Sequence, residues 1–175
     1  MTKKVQKVSV GIVMGSDSDL AVMSESALIL EEFGVGYEMT VASAHRSPLL
    51  VHSFVESAKG KGIKVIIAGA GGAAHLAGVV ASFTTLPIIG VPVKAKTLDG
   101  LDSLLSTSQM PPGIPVATVG INGAKNAGLL AIQILATNDK NLEKKLIAYK
   151  QKMHNEIKVK GEKLLEIGYK KYLEK

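Results

Sequence analysis

The sequence predicts an α/β protein, a doubly wound parallel sheet with helices on both faces, and three observations predict it. Short β-branched runs alternate with longer helical patterns up to about residue 137. The apolar runs are continuous, as in KVIIA at 64–68 and PIIGV at 87–91, which fits strands buried on both faces. Strands separated by helices need right-handed crossovers, and these give a parallel sheet covered on each side.

Each element has its own signal. Lys7 to Met14 reads as a strand, and Asp19 to Phe33 as a helix closed by Gly34. Tyr37 to Ala42 is the second strand, followed by a helix from about Ser47 to Ala58 with Pro48 in its first turn. Lys64 to Ala68 is the third strand and Gly72 to Phe83 a helix of small residues. Pro87 to Val91, Leu101 to Ser108, Val116 to Val119 and Asn122 to Thr137 continue as strand, helix, strand and helix. Five short strands make a flavodoxin-like, three-layer sandwich the expected architecture, with an extra C-terminal helical tail. The α/β domain is assigned to residues 1–160, and residues 161–175 form a lysine-rich extension.

The tail has a pattern of its own. Leu142, Leu146, Tyr149, Met153 and Ile157 recur every three to four residues, and Leu164, Leu165, Tyr169 and Tyr172 do so after Gly161. This is an amphipathic helix with a break, lying beyond an already complete α/β unit. Its apolar stripe can pack on its own core or on a neighbouring subunit; the neighbour is preferred.

Composition narrows the function. The 175 residues include no cysteine, which excludes disulfides, thiolate catalysis and cysteine metal sites. No apolar run reaches the ~20 residues of a membrane helix, and no signal peptide opens the chain, so a soluble cytoplasmic protein is expected. The net charge of +6 is uneven: residues 1–138 carry 10 basic against 9 acidic residues, and residues 139–175 carry 11 against 6. That excess is interleaved with Glu on a helix, a solvated pattern, and with 4% aromatic residues there is no platform for stacking bases. Neither nucleic acid nor membrane is expected as a partner.

Of 21 basic residues, 20 are lysine and one is Arg46. Either codon chance or a need for a planar, bidentate fork on phosphate or carboxylate explains a single arginine. Its position favours the second explanation, because ligands of doubly wound sheets bind outside the carboxyl ends of the strands. Three unusual loops fall there: Gly15-Ser16-Asp17-Ser18-Asp19, Ser43-Ala44-His45-Arg46-Ser47-Pro48 and Gly69 to His75. In the first, Gly15 and Ser16 suit an anion at a helix start and Asp19 suits ribose hydroxyls, although Ser18 or Asp19 can equally serve as a helix cap. In the second, His45 stands beside the arginine and suits proton transfer near neutral pH. His75 shares the rim, whereas His52 lies in a helix and His154 on the tail. In the third, Gly69-x-Gly71-x-x-Ala74 imitates a dinucleotide fingerprint, but it follows the third strand. Lys94 and Lys96 stand where that fingerprint needs an acid, so the glycines serve close approach of a flat ligand instead. There is no P-loop and no recognised metal spacing.

The runs VMGSDSD, SAHRSP, AGAGGAAHLAG, GVPV, GLDSLL and QMPPGIPVAT together resemble the PurE family of purine biosynthesis, in order from about residue 8 to residue 150. The resemblance implies an isomerase that moves a carboxyl group from the 5-amino nitrogen of an aminoimidazole ribonucleotide to C4 of its ring. It implies no cofactor, neither ATP, biotin nor metal, and a homo-octamer with sites at subunit boundaries. Position by position, Ser16, Asp19 and Arg46 match nucleotide-binding residues and His45 the proton-transferring residue. Gly71, Gly72 and His75 match the loop over the base, and Ser43 joins Arg46 and Ser16 on the 5′-phosphate. Direct carboxylases of the same fold usually have Lys after the loop histidine and lack GGAAHL, so Arg46 and Gly71 to Leu76 favour the mutase branch. The alternatives are a direct carboxylase and a non-catalytic nucleotide-binding module. Two features depart from the family pattern: Ala77 stands where Pro is common, and Gly120 to Asn126 is short.

Overall fold

A computed structural model describes residues 7–174. Its strands are β1 (Val8–Met14), β2 (Gly36–Val41), β3 (Val65–Gly71), β4 (Ile88–Val93) and β5 (Ala117–Thr118). Between and after them lie α1 (Leu20–Phe33), α2 (Pro48–Ala58), α3 (Leu76–Ser82), α4 (Leu101–Ser108), α5 (Ala124–Ala136) and α6 (Lys140–Leu173). The sheet order is β2-β1-β3-β4-β5 and every pairing is parallel. This is the flavodoxin-like order, whose switch point lies between β1 and β3. The chain forms two compact units, one ending at Leu135 and the other beginning at Ala136. Among the described residues no helix is long and apolar enough to cross a membrane.

The buried strands explain the continuous apolar runs. Val10, Ile12, Val13, Ile66, Ile67, Ile89 and Val91 are 0% exposed, because helices cover both faces. Register then fixes where the strands stop together: Met14 pairs Gly69, and Gly71 pairs Val93. The chain turns out of the sheet at these ends, and the predicted rim loops emerge there.

Most element ends shift by one or two residues from the sequence reading, and three differences bear on the site or the tail. Strand β3 runs on through Gly69, Ala70 and Gly71, since β4 extends to Val93 and offers these residues a ladder. Helix α3 starts at Leu76 rather than Gly72, because Gly72 takes the left-handed conformation (φ 64) and turns the chain before any helix can begin. In α6 the helix passes through Gly161, and the non-helical residue is Gly168 (φ 72, ψ 158).

Candidate active site

A cavity of about 840 Å³ lies outside the carboxyl ends of the strands. The three predicted loops line it with Ser16, Asp19, Ser43, His45, Arg46, Gly71, Gly72 and His75. Val93 at the end of β4, the loop residues Lys94, Ala95 and Lys96 that follow it, and Asn122 after β5 also line it. The size lies within the range of small-ligand sites, about 300–1,000 Å³.

The β1 loop is fixed by a capping box. Ser16 has extended backbone, its Oγ accepts from Ser18 N at 3.3 Å, and its own N–H donates to Asp19 Oδ2 at 3.1 Å. Asp19 is 7% exposed, and burial pushes its carboxyl above the ordinary aspartate range. The Ser16 N–H, the Ser18 side chain and the Arg46 guanidinium pull the other way, and Asp17 adds to the rise. Capping and cavity lining therefore coexist at Asp19, two roles that the sequence reading held as alternatives.

The β2 loop is a tight turn held by its serines. Ser43 N donates to Ser47 Oγ at 2.9 Å, and Arg46 N donates to Ser43 Oγ at 3.2 Å. Arg46 Nη2 donates to the Gly15 carbonyl at 3.0 Å, so the one arginine ties the β2 loop to the β1 loop. Its remaining N–H groups are unused by any hydrogen bond among the described residues, and five donors leave several for a ligand. His45, next in the chain, reaches the β3 loop: His45 Nε2 lies 2.9 Å from His75 Nδ1, with the rings edge to face at 5.0 Å between centroids. One nitrogen of that pair donates and the other accepts, so the two tautomers are coupled.

The β3 end is built from small residues, and at Gly69 and Gly71 close neighbours leave little room for a side chain. A Cβ on Gly69 would collide with the Met23 thioether, and one on Gly71 would stand 3.1 Å from the Val93 carbonyl. The predicted loop glycines thus divide between strand and turn, and both open the cavity floor. His52 is not among the residues that line the cavity, and His154 belongs to the second unit. The His52 ring packs edge to face on Phe83 at 5.0 Å, and its Nδ1 lies 3.8 Å from Glu56. Among the described residues no group of three or more His, Asp and Glu side chains is placed to hold a metal.

Lys94, Lys96 and Asn122 escaped the sequence reading as site residues. Lys94 N donates to Asn122 Oδ1 at 2.8 Å, and Asn122 N donates to the Pro92 carbonyl at 2.8 Å. Asn122 sits at φ 58, a conformation Asn tolerates better than most residues. Within the Gly120 to Asn126 segment, Asn122 therefore lines the β5 side of the rim. The available signal was positional, since both lysines follow the fourth strand as His45 follows the second.

Comparison with known proteins agrees with this architecture. The family model described as AIR carboxylase matches residues 9–156. The chain is 58% identical over 164 residues to the N5-carboxyaminoimidazole ribonucleotide mutase of Thermotoga maritima, covering 94% of this chain and 96% of that one. It is 54% identical over 168 residues to the phosphoribosylaminoimidazole carboxylase of Saccharomyces cerevisiae, covering 96% of this chain but only 29% of that one. The crystal structure of Treponema denticola PurE superposes with a TM-score of 0.82 at 31% identity, over 89% of this chain and 97% of that chain.

Proposed function

The chain belongs to the AIR carboxylase family, and from that premise we propose that it interconverts N5-carboxyaminoimidazole ribonucleotide and 4-carboxy-5-aminoimidazole ribonucleotide in purine biosynthesis. It is an isomerase of the mutase type. One observation carries the choice of mutase: the match to the Thermotoga maritima mutase covers nearly all of both chains, whereas the yeast carboxylase is a far longer protein of which this chain matches less than a third.

The bond changes balance without an outside reagent. The N–C bond of the carbamate breaks, CO2 leaves, and the nitrogen takes up a proton. C4 of the ring then attacks the same CO2, and the proton on C4 is lost. One proton goes on and one comes off, so a single acid–base group at the ring suffices. His45 is assigned that role, and His75, whose Nδ1 lies 2.9 Å from His45 Nε2, is its hydrogen-bond partner on the rim. Ser16, Ser43 and Arg46 take the 5′-phosphate, the guanidinium being fixed by the Gly15 carbonyl. Asp19 takes ribose hydroxyls, and the turn Gly71-Gly72 with His75 lies over the base. Positioning of CO2 against C4 supplies much of the remaining acceleration. The reading extends to a homo-octamer working in the cytoplasm.

The test is direct. Purified protein in buffer free of ATP and bicarbonate is given the N5-carboxylated ribonucleotide, and the C4-carboxylated product is followed by absorbance and chromatography. Product formation faster than spontaneous loss of CO2 is expected. Formation of aminoimidazole ribonucleotide alone would contradict the assignment.

A further inference from the structure

The rim of the cavity carries cations on two opposite sides. Arg46 stands on the β2 loop, and Lys94 and Lys96 stand on the β4 loop. The sheet order β2-β1-β3-β4 puts three strand spacings between those loops, roughly 14 Å at about 4.8 Å each. The ligand of the proposed reaction is also anionic at both ends, with a phosphate on the ribose and a carboxylate on the ring. With the phosphate at the Arg46 side, the ring end extends toward β4.

The two lysines are not equivalent. Lys94 Nζ lies 2.8 Å from Asp99 Oδ1, and its backbone N–H is held by Asn122. That ammonium is already compensated, as the lowered carboxyl pKa of Asp99 also reflects. Lys96 is exposed, lines the same wall, and has no carboxylate within ion-pair distance among the described residues. The acid of the cavity lining, Asp19, belongs to the β1 loop. Lys96 is the uncompensated charge on the β4 side.

We propose that Lys96 recognises the migrating carboxylate, and so sets the preference of the site for carboxylated over decarboxylated aminoimidazole ribonucleotide; this rests on the function proposed above. Lysine chemistry suits the task. A point charge on a four-carbon stem follows a carboxylate from nitrogen to C4, whereas a guanidinium fork would hold one geometry. A firm clamp would also oppose conversion of the carboxylate to neutral CO2. A solvated ammonium favours both carboxylated forms by a modest, similar amount, so it opposes CO2 release only slightly and leaves the balance between the two forms unchanged.

Equilibrium binding tests it, using 4-carboxy-5-aminoimidazole ribonucleotide and aminoimidazole ribonucleotide as the two titrants by calorimetry. The wild-type protein is expected to bind the carboxylated titrant more tightly. Lys96→Met should raise its Kd about fivefold, the scale of a solvated ion pair. The decarboxylated titrant should lose less than about twofold, since its phosphate lies beyond the ~8 Å screening length. Lys94→Met should leave the preference standing. Equal weakening of both titrants, no weakening, or an effect confined to Lys94→Met would each overturn the assignment. Absence of turnover in a wild-type protein that keeps its carboxylate preference would count against the proposed reaction and leave the lysine's role intact.

Discussion

If His45 moves the proton, His45→Asn removes the titrating group while leaving a side chain of similar reach in a turn whose serine hydrogen bonds do not involve it. The variant should fold and bind ribonucleotide, and kcat should fall by about 10²–10⁴, the usual worth of general acid–base catalysis. Retention of more than about a tenth of kcat, measured at saturating substrate, would remove His45 from the mechanism. Asp19 allows a second test, this one of stability against pH. Its carboxyl is raised by burial, so between the ordinary aspartate pKa and its own raised value the folded state holds a proton that the unfolded state has lost. Stability from this group is therefore full at low pH and is lost as pH rises through the raised value. Relative to Asp19→Asn, the wild-type protein should lose ground as pH rises from the ordinary aspartate value of 3.8 through the raised one; urea midpoints across a pH series that starts below that ordinary value measure it, and a constant difference would contradict the burial argument. The residues behind these predictions were legible because loops after strands, a solitary arginine and a neighbouring histidine are sequence facts. The link from Arg46 to the Gly15 carbonyl and the pairing of His45 with His75 were not, since each joins residues about 30 positions apart.

Helix α5 shows where local rules mislead. Gly128 lies inside Ala124–Ala136, and by propensity alone Gly128→Ala should add up to about 1 kcal/mol. A Cβ there would meet the Ile29 side chain and stand 3.0 Å from the Ser26 carbonyl of α1, a backbone atom that cannot swing aside. Overpacking of this kind costs about 1–3 kcal/mol, so the net change should be destabilising. A lower denaturant midpoint with unchanged slope is the expected result, and a higher midpoint would show that α5 can withdraw from α1. The same division runs through the fold. Existence and order of the elements followed from apolar runs and glycine stops. Their ends did not: β3 runs through Gly71 because β4 is there to pair with it, and α3 waits until Leu76 because Gly72 turns left-handed. Those ends depend on partners distant in sequence, which periodicity does not report.

Helix α6 buries no residue, and of its apolar stripe Ile157, Leu165 and Tyr169 are 66%, 87% and 66% exposed. A stripe of this size calls for a covering surface. Ending the chain after Thr137 should give smaller assemblies or insoluble protein, as read by light scattering; an assembly of unchanged size would assign the stripe no part in association. The central claim for the molecule is that one cavity releases a carboxyl group as CO2 and returns the same CO2 to C4. Isotope retention tests it most directly. Unlabelled N5-carboxylated substrate is supplied in buffer rich in ¹³C-bicarbonate and free of ATP, and early product is analysed by mass. A cavity that holds CO2 until recapture, sheltered from solvent, gives C4-carboxylated product that is mostly unlabelled. Product labelled to the level of the buffer from the first turnovers would contradict the account and identify a direct carboxylase.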